Sequence, residues 1–220
     1  MPSESALRDG SDADFELIET MRWEPALGFV RVERHLERLY RSAGELGFPY
    51  DPAAVSEALR KAVGPDAVLR TRLTLARDGA ARAASTPFAP LPLGARWTVR
   101  LAETRLGSGD PLLRHKTTRR GPYEAARGEF PADRADEVLL LNERGEVCEG
   151  VITNVFVAIG GDGVLLTPAL SCGLLPGVLR SELIALGKAR EATLGPHDLR
   201  AAEELFVGNS LRGLIRARLA

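Results

Sequence analysis

Apolar and polar residues alternate along FELIETMRW (15–23), and GFVRV (28–32) resumes the alternation after Glu24-Pro25-Ala26-Leu27, which predicts an N-terminal β-hairpin. In RHLERLYRSAGELGF the period lengthens: Leu36, Leu39, Tyr40, Ala43 and Leu46 share one helical face, and Gly47 closes it. Asp51 as N-cap with Pro52 in the first turn opens a second helix, whose stripe of Val55, Ala58, Leu59 and Ala62 ends at Gly64 and leaves Lys61 in solvent. AVLRTRLTLARDG returns to period two, with Leu69, Thr71, Leu73 and Leu75 on one face, Arg70, Arg72 and Thr74 on the other, and Asp78-Gly79 as the turn. The proline-bearing STPFAPLPLGA (85–95) reads as a semi-rigid loop, and RWTVRLAET as a strand that finishes the first lobe. RLGSGDPLLR has linker composition, so the chain divides into lobes at 1–104 and 115–220 joined by 105–114.

Past the linker, a helix runs through Tyr123, Ala126 and Arg127. The segment from Ala135 to Leu170 then holds four short strands, separated by Asn142-Glu143-Arg144-Gly145 and Gly160-Gly161-Asp162-Gly163, an antiparallel meander. VLRSELIALGKA (178–189) is a helix, EATL a strand, PHDLRAAEE a short helix and LFVGN the final strand. The fold class is α+β, two α/β lobes without internal repeats.

Composition narrows the function. With 220 residues and 45% hydrophobic content the chain builds a real core. Its 29 basic and 30 acidic residues leave a net charge of −1, so no global positive field is present to hold nucleic acid or an anionic bilayer. Apolar runs such as Val138 to Leu141 are too short to span a membrane. The start, MPSESALRDGSDAD, lacks the apolar stretch of a signal and reads as disordered. A cytoplasmic protein is expected. Cys148 and Cys172 lie in no metal or disulfide spacing and read as small buried hydrophobes; His35, His115 and His197 form no metal cluster. Serine-hydrolase elbows, phosphate loops and dinucleotide fingerprints are absent.

Only three of the basic residues are lysine: Lys61, Lys116 and Lys188. Lysine, unlike arginine, can shed its proton and act as a nucleophile. Lys188 has a plain role at a helix C-terminus. Lys116 stands in His115-Lys116-Thr117-Thr118-Arg119-Arg120, where neighbouring cations favour the neutral amine that forms Schiff bases. The alternative is a solvated basic loop. Leu174-Leu175-Pro176-Gly177-Val178-Leu179-Arg180 opens a helix with free N–H groups of the kind that bind phosphate, although most such starts bind nothing. Glu149, between Cys148 and Gly150, is either a buried carboxylate needing a cationic partner or an exposed edge residue.

The order of ETMR (19–22), HLERL (35–39), LTLARDG (73–79), HKTTRR, EVCEGVITNVF (146–156), TPALSCGLLPGVLR (167–180) and ELFVGNSLRGL (204–214) resembles the class IV, fold-type IV, pyridoxal-phosphate enzymes across nearly the whole chain. The likeness is greatest to 4-amino-4-deoxychorismate lyase-like domains. It implies pyridoxal 5'-phosphate at the lobe interface, carried by Lys116, which also moves the proton. Glu149 would pair with the pyridine nitrogen. Arg38, the N–H groups of Val178 and Leu179, and Ser210 would hold the phosphate, with Thr153 and Asn154 lining the ring. Helical periodicity alone turns Arg38 outward, opposite Leu36, Leu39 and Ala43; only the motif turns it inward. The resemblance also implies a first lobe trimmed of its opening strands, and a homodimer acting on a small amino substrate. The tyrosine that some family members carry five residues after the lysine is Gly121 here, which weighs against a branched-chain aminotransferase. The substrate-carboxylate grip stays undetermined, with Arg77 in LARDG and Arg72 as candidates. Two activities stay open: a lyase forming 4-aminobenzoate and pyruvate from aminodeoxychorismate for folate synthesis, or an aminotransferase for branched-chain or D-amino acids. A non-catalytic α+β interaction domain with a solvated Lys116 is the third reading.

Overall fold

The computed structural model describes residues 15–161 and 163–220. The polar start and Asp162 in its glycine turn lie outside the described residues. Strands β1 (Leu17–Glu24) and β2 (Gly28–Phe29) form the expected hairpin, although Val32 already belongs to helix α1 (Val32–Leu46). With β3 (Leu69–Leu75) and β4 (Ala81–Pro87) they build a four-stranded sheet ordered β2-β1-β3-β4, covered on one face by α1 and α2 (Pro52–Lys61). Asp51 caps α2 through the Ala53 N–H, and Gly47 ends α1 at φ 71°, a left-handed turn that suits glycine.

Two details of the helical stripe differ from the periodicity. Tyr40 is 65% exposed, its ring meeting Tyr50 edge-on, whereas Arg38 is only 6% exposed. The face of α1 that meets the sheet is centred on Leu39 and Ala43 and extends over His35, Arg38 and Ser42. These polar side chains are buried because the second lobe lies over them. Strand β4 is also unexpected, since ARAASTP has little β-propensity; pairing with β3 from Ala81 to Pro87 makes it a strand.

The second sheet has eight strands in the order β10-β9-β8-β11-β12-β5-β6-β7: β5 (Arg96–Leu106), β6 (Glu137–Asn142), β7 (Val147–Gly150), β8 (Asn154–Ala158), β9 (Leu165–Pro168), β10 (Ala189–Ala192), β11 (Glu204–Asn209) and β12 (Gly213–Leu219). Helices α3 (Gly121–Gly128), α4 (Val178–Ala185) and α5 (Pro196–Ala201) pack around it. Strand β5 runs parallel to β6 and β12, so residues 96–104, given to the first lobe by the sequence reading, pair with the second. The chain continues past LFVGN into β12, which closes the centre of the sheet. The four strands between Ala135 and Leu170 are present but are not a meander. Hairpins β6-β7 and β8-β9 stand apart in the strand order, joined by a tight turn in which the Gly150 N–H donates to the Thr153 carbonyl at 2.7 Å. Five flat strand spacings would need about 24 Å, more than the roughly 15 Å this link can reach, so the sheet curls until β7 meets β8.

Candidate active site

The lobes join at Lys116. Its carbonyl accepts from the Ile18 N–H at 2.9 Å, Leu17 bridges Thr117, and the Thr118 N–H donates to the Glu16 carbonyl at 2.9 Å, which fastens the lysine segment to β1. The side chain enters a cavity of about 400 Å³ between the lobes, lined also by Arg38, Glu149, Thr153, Asn154 and Ser210. Among the described residues no hydrogen bond or ion pair engages its amine. Burial, with the charges of Arg38 and Arg120, pushes the ammonium down to about 8 against the pull of Glu19 and Glu149. The solvated-loop reading of Lys116 is therefore corrected: the amine sits inside and holds its proton less tightly than an ordinary lysine. The cations that lower it come from α1 and from Arg120.

Glu149 is 4% exposed, at the end of β7. Its Oε1 accepts from Tyr123 Oη at 2.7 Å and from the Leu175 N–H at 3.1 Å, and Asn154 Nδ2 lies 3.5 Å from Oε2. Burial still outweighs these donors and pushes the carboxyl up to about 7. Behind the turn, Glu137 accepts from Thr153 Oγ1 at 2.8 Å and from the Ile152 N–H at 3.1 Å, fixing the 150–153 link against β6. The hydroxyl proton of Thr153 is thus committed away from the cavity.

Opposite stands a network that the sequence reading did not find. Glu19, 1% exposed on β1, receives Arg38 Nε at 2.8 Å and Arg38 Nη2 at 2.6 Å, and meets His35 Nδ1 at 2.7 Å. Burial alone would raise its carboxyl, but Arg38 and His35 prevail and hold it at about 2. His35 Nε2 pairs with Ser210 Oγ at 2.8 Å, and Arg38 Nη1 donates to the Pro176 carbonyl at 3.2 Å. Arg38 and Ser210 are thereby held in place from the first lobe. Arg38 turns inward as its motif implies, and three of its five N–H donors are spent. A signal for Glu19 was present: it shares the β1 face of Leu17 and Met21, where an acid must have a partner.

Helix α4 starts at Gly177 and Val178, both on the cavity wall. Leu179 does not line the cavity; its side chain packs with Phe156, Leu183 and Ala189, so only its N–H is on offer there. A Cβ on Gly177 would stand 1.8 Å from Asn154 Oδ1, so the bare backbone is what leaves room for the Asn154 amide, which donates to the Leu175 carbonyl at 3.1 Å. Arg77 and Arg72 are corrected as carboxylate ligands. Arg77 donates to the Leu46 carbonyl and lies over the Phe48 ring, Arg72 is exposed, and neither lines the cavity. The arginines at its mouth are Arg70, Arg119, Arg120 and Arg212. Cys148 and Cys172 are buried, the Cys148 thiol pointing at the Cys172 carbonyl.

The family model for amino-transferase class IV matches residues 16–220. The chain belongs to the class IV aminotransferases, a family of enzymes. This class IV chain is 29% identical over 209 residues to a protein of Schizosaccharomyces pombe named "Putative aminodeoxychorismate lyase", covering 92% of this chain and 89% of the relative. A crystal structure titled as a "Putative amino-acid aminotransferase" from Mesorhizobium loti superposes with a TM-score of 0.92 at 59% identity, covering 94% of this chain and all of that one. The crystal structure of 4-amino-4-deoxychorismate lyase from Pseudomonas aeruginosa gives a TM-score of 0.77 at 25% identity, over 96% of this chain and 87% of that one. The α+β fold of two lobes expected from the motifs is thus the fold of the class IV enzymes, built here on two sheets.

Proposed function

We propose that this class IV enzyme binds pyridoxal 5'-phosphate on Lys116 and converts 4-amino-4-deoxychorismate to 4-aminobenzoate and pyruvate, a step in folate synthesis. The observation that carries the reading is one cavity combining a lysine amine brought down to about 8, a buried carboxyl and a cationic mouth. The residues suit the cofactor. Arg38 keeps two free donors and Val178 and Leu179 their helix N-terminal N–H groups, a donor set for a phosphate, and Ser210, its Oγ paired with His35, would stand beside them. Glu149 would accept a hydrogen bond from the ring nitrogen and keep that nitrogen protonated, and Asn154 and Thr153 would flank the ring. When bound, pyridoxal phosphate supplies an electron sink joined to the substrate's amine.

The protein supplies the proton traffic. Lys116 Nζ, neutral in an appreciable fraction near pH 8, takes the proton from the ring carbon that bears the amine. The neighbouring carbon loses its enolpyruvyl oxygen, the ring becomes aromatic, and the released enolpyruvate takes up a proton as pyruvate. Walls formed by Leu113, Val151 and Leu175 exclude water.

Incubation with aminodeoxychorismate and assay of pyruvate tests this, expecting stoichiometric pyruvate and 4-aminobenzoate. A colourless protein that takes up no pyridoxal phosphate would overturn it. The 59% identity to the Mesorhizobium structure favours a second reading, an amino-acid aminotransferase. In that case an amino donor would bleach the cofactor absorbance and a keto acid would restore it. A homodimer in the cytoplasm accompanies both readings. Leu91, Leu93 and Ile152 are exposed apolar side chains available to a second copy, and no helix among the described residues is long and apolar enough to cross a membrane.

A further inference from the structure

We propose that Arg212 and Arg70 form the subsite that grips a carboxylate of the amino substrate, and that this enzyme selects anionic amines through that pair. The inference rests on the cavity being the substrate site, as above. Arg212 lies in the turn between β11 and β12, where its N–H donates to Asn209 Oδ1 at 3.0 Å, so the turn's geometry is fixed. Its guanidinium lies 5.7 Å from the Phe88 ring centroid and 5.8 Å from that of Trp97, aromatic supports that orient the charge without neutralising it. Arg70 comes from the other lobe, on the β3 face that also bears Arg72, and its charge acts on Arg212. Burial and then Arg70 lower the proton affinity of Arg212, with Glu137 opposing from behind.

Among the described residues neither guanidinium has an ion pair. Two like charges, one half-buried, are therefore held together at the mouth of the cavity that contains Lys116. A charge kept out of water without a counterion costs free energy, and so does a like-charge neighbour. A carboxylate placed between the two forks relieves both costs and accepts several charge-assisted hydrogen bonds. Thr20 and Asn209 on the same wall add neutral polar groups, and the apolar walls deeper in suit a carbocycle. A simple basic surface patch would be scattered on one element and fully solvated. Here the pair is assembled from two lobes, and Arg212 lies over two rings.

The test titrates 4-aminobenzoate into the cofactor-loaded enzyme by calorimetry, beside uncharged 4-aminobenzamide. The wild type is expected to bind the carboxylate and discriminate against the amide, and Arg212→Gln and Arg70→Gln to weaken carboxylate binding by roughly tenfold to a hundredfold with the amide unaffected. Arg212→Lys should recover part of the loss. Arg70 is exposed, so Arg70→Gln keeps the test decisive if Arg212→Gln does not fold. Equal carboxylate affinity in wild type and variants, or no preference over the amide in the wild type, overturns the proposal. Carboxylate selection without pyruvate release would sink the lyase reading and leave this one standing; pyruvate release without carboxylate selection would do the reverse.

Discussion

Tyr123 donates a 2.7 Å hydrogen bond to Oε1 of Glu149, from the first turn of α3 to the end of β7. The donor favours the ionised carboxylate, which burial has pushed up to about 7. Removing it with Tyr123→Phe should raise that value further. The acid limb of kcat/KM should then move to higher pH by about one unit, with little change in the alkaline limb. A pH profile of the variant checks this; an unmoved acid limb would show that Glu149 does not govern it.

Lys116 costs the empty protein stability. Its folded value of about 8 lies below the ordinary 10.5, so the unfolded chain binds more protons between those values and stability rises with pH through that window. Lys116→Met should therefore make the cofactor-free protein more stable below pH 8, on the order of 2 kcal/mol. The gain should close as pH climbs towards 10.5. Urea melts of both proteins at pH 7 and pH 10 measure it, and a constant difference at the two pH values contradicts the burial argument.

Glu19 works in the opposite sense. Held at about 2 against an ordinary 4.5, its carboxylate contributes stability that is present above pH 4.5 and is lost as pH falls towards 2. Glu19→Gln leaves Arg38 buried without its partner, at a cost of about 3 kcal/mol, and frees Arg38 and His35 to move. Thermal melts should show the destabilisation, and titration with pyridoxal phosphate should show at least about tenfold weaker binding.

Gly177→Ala places a methyl where the Asn154 amide now lies. Asn154 is buried and tied to the Leu175 carbonyl, so it cannot swing away freely. The start of α4 should shift outward, and cofactor affinity should fall more than thermal stability does. Wild-type affinity in Gly177→Ala would mean that this helix start carries no phosphate.

How far the sequence foretold this arrangement depends on what each residue had to signal. Leu39, Ala43, Val55 and Leu73 follow simple periods and lie where those periods put them. Arg38, Tyr40 and His35 do not, because the second lobe turns a solvent-facing stripe of α1 into an interface, and helical period carries no information about a lobe that arrives later in the chain. Strands β4 and β12 were missed because ARAASTP has little β-propensity of its own and becomes a strand by pairing back on β3, while GLIRARL is held between β11 and the sequence-distant β5. Lys116 was legible as the rare lysine among arginines, and Glu149 only as one of two alternatives. Arg70 was seen as part of a basic strand face, but that this face overlooks the cavity required the tertiary structure.

The antiparallel bridge between Leu17 and Thr117 has a consequence for the protein's life in the cell. The backbone that carries Lys116 is stitched to a strand almost a hundred residues upstream, so a half-formed molecule would offer the vitamin no berth. Under the proposed function, cofactor capture would report completed folding, and by mass action would also drive it. Vitamin scarcity would show first as a shrinking pool of intact molecules, before any sluggishness in those that remain.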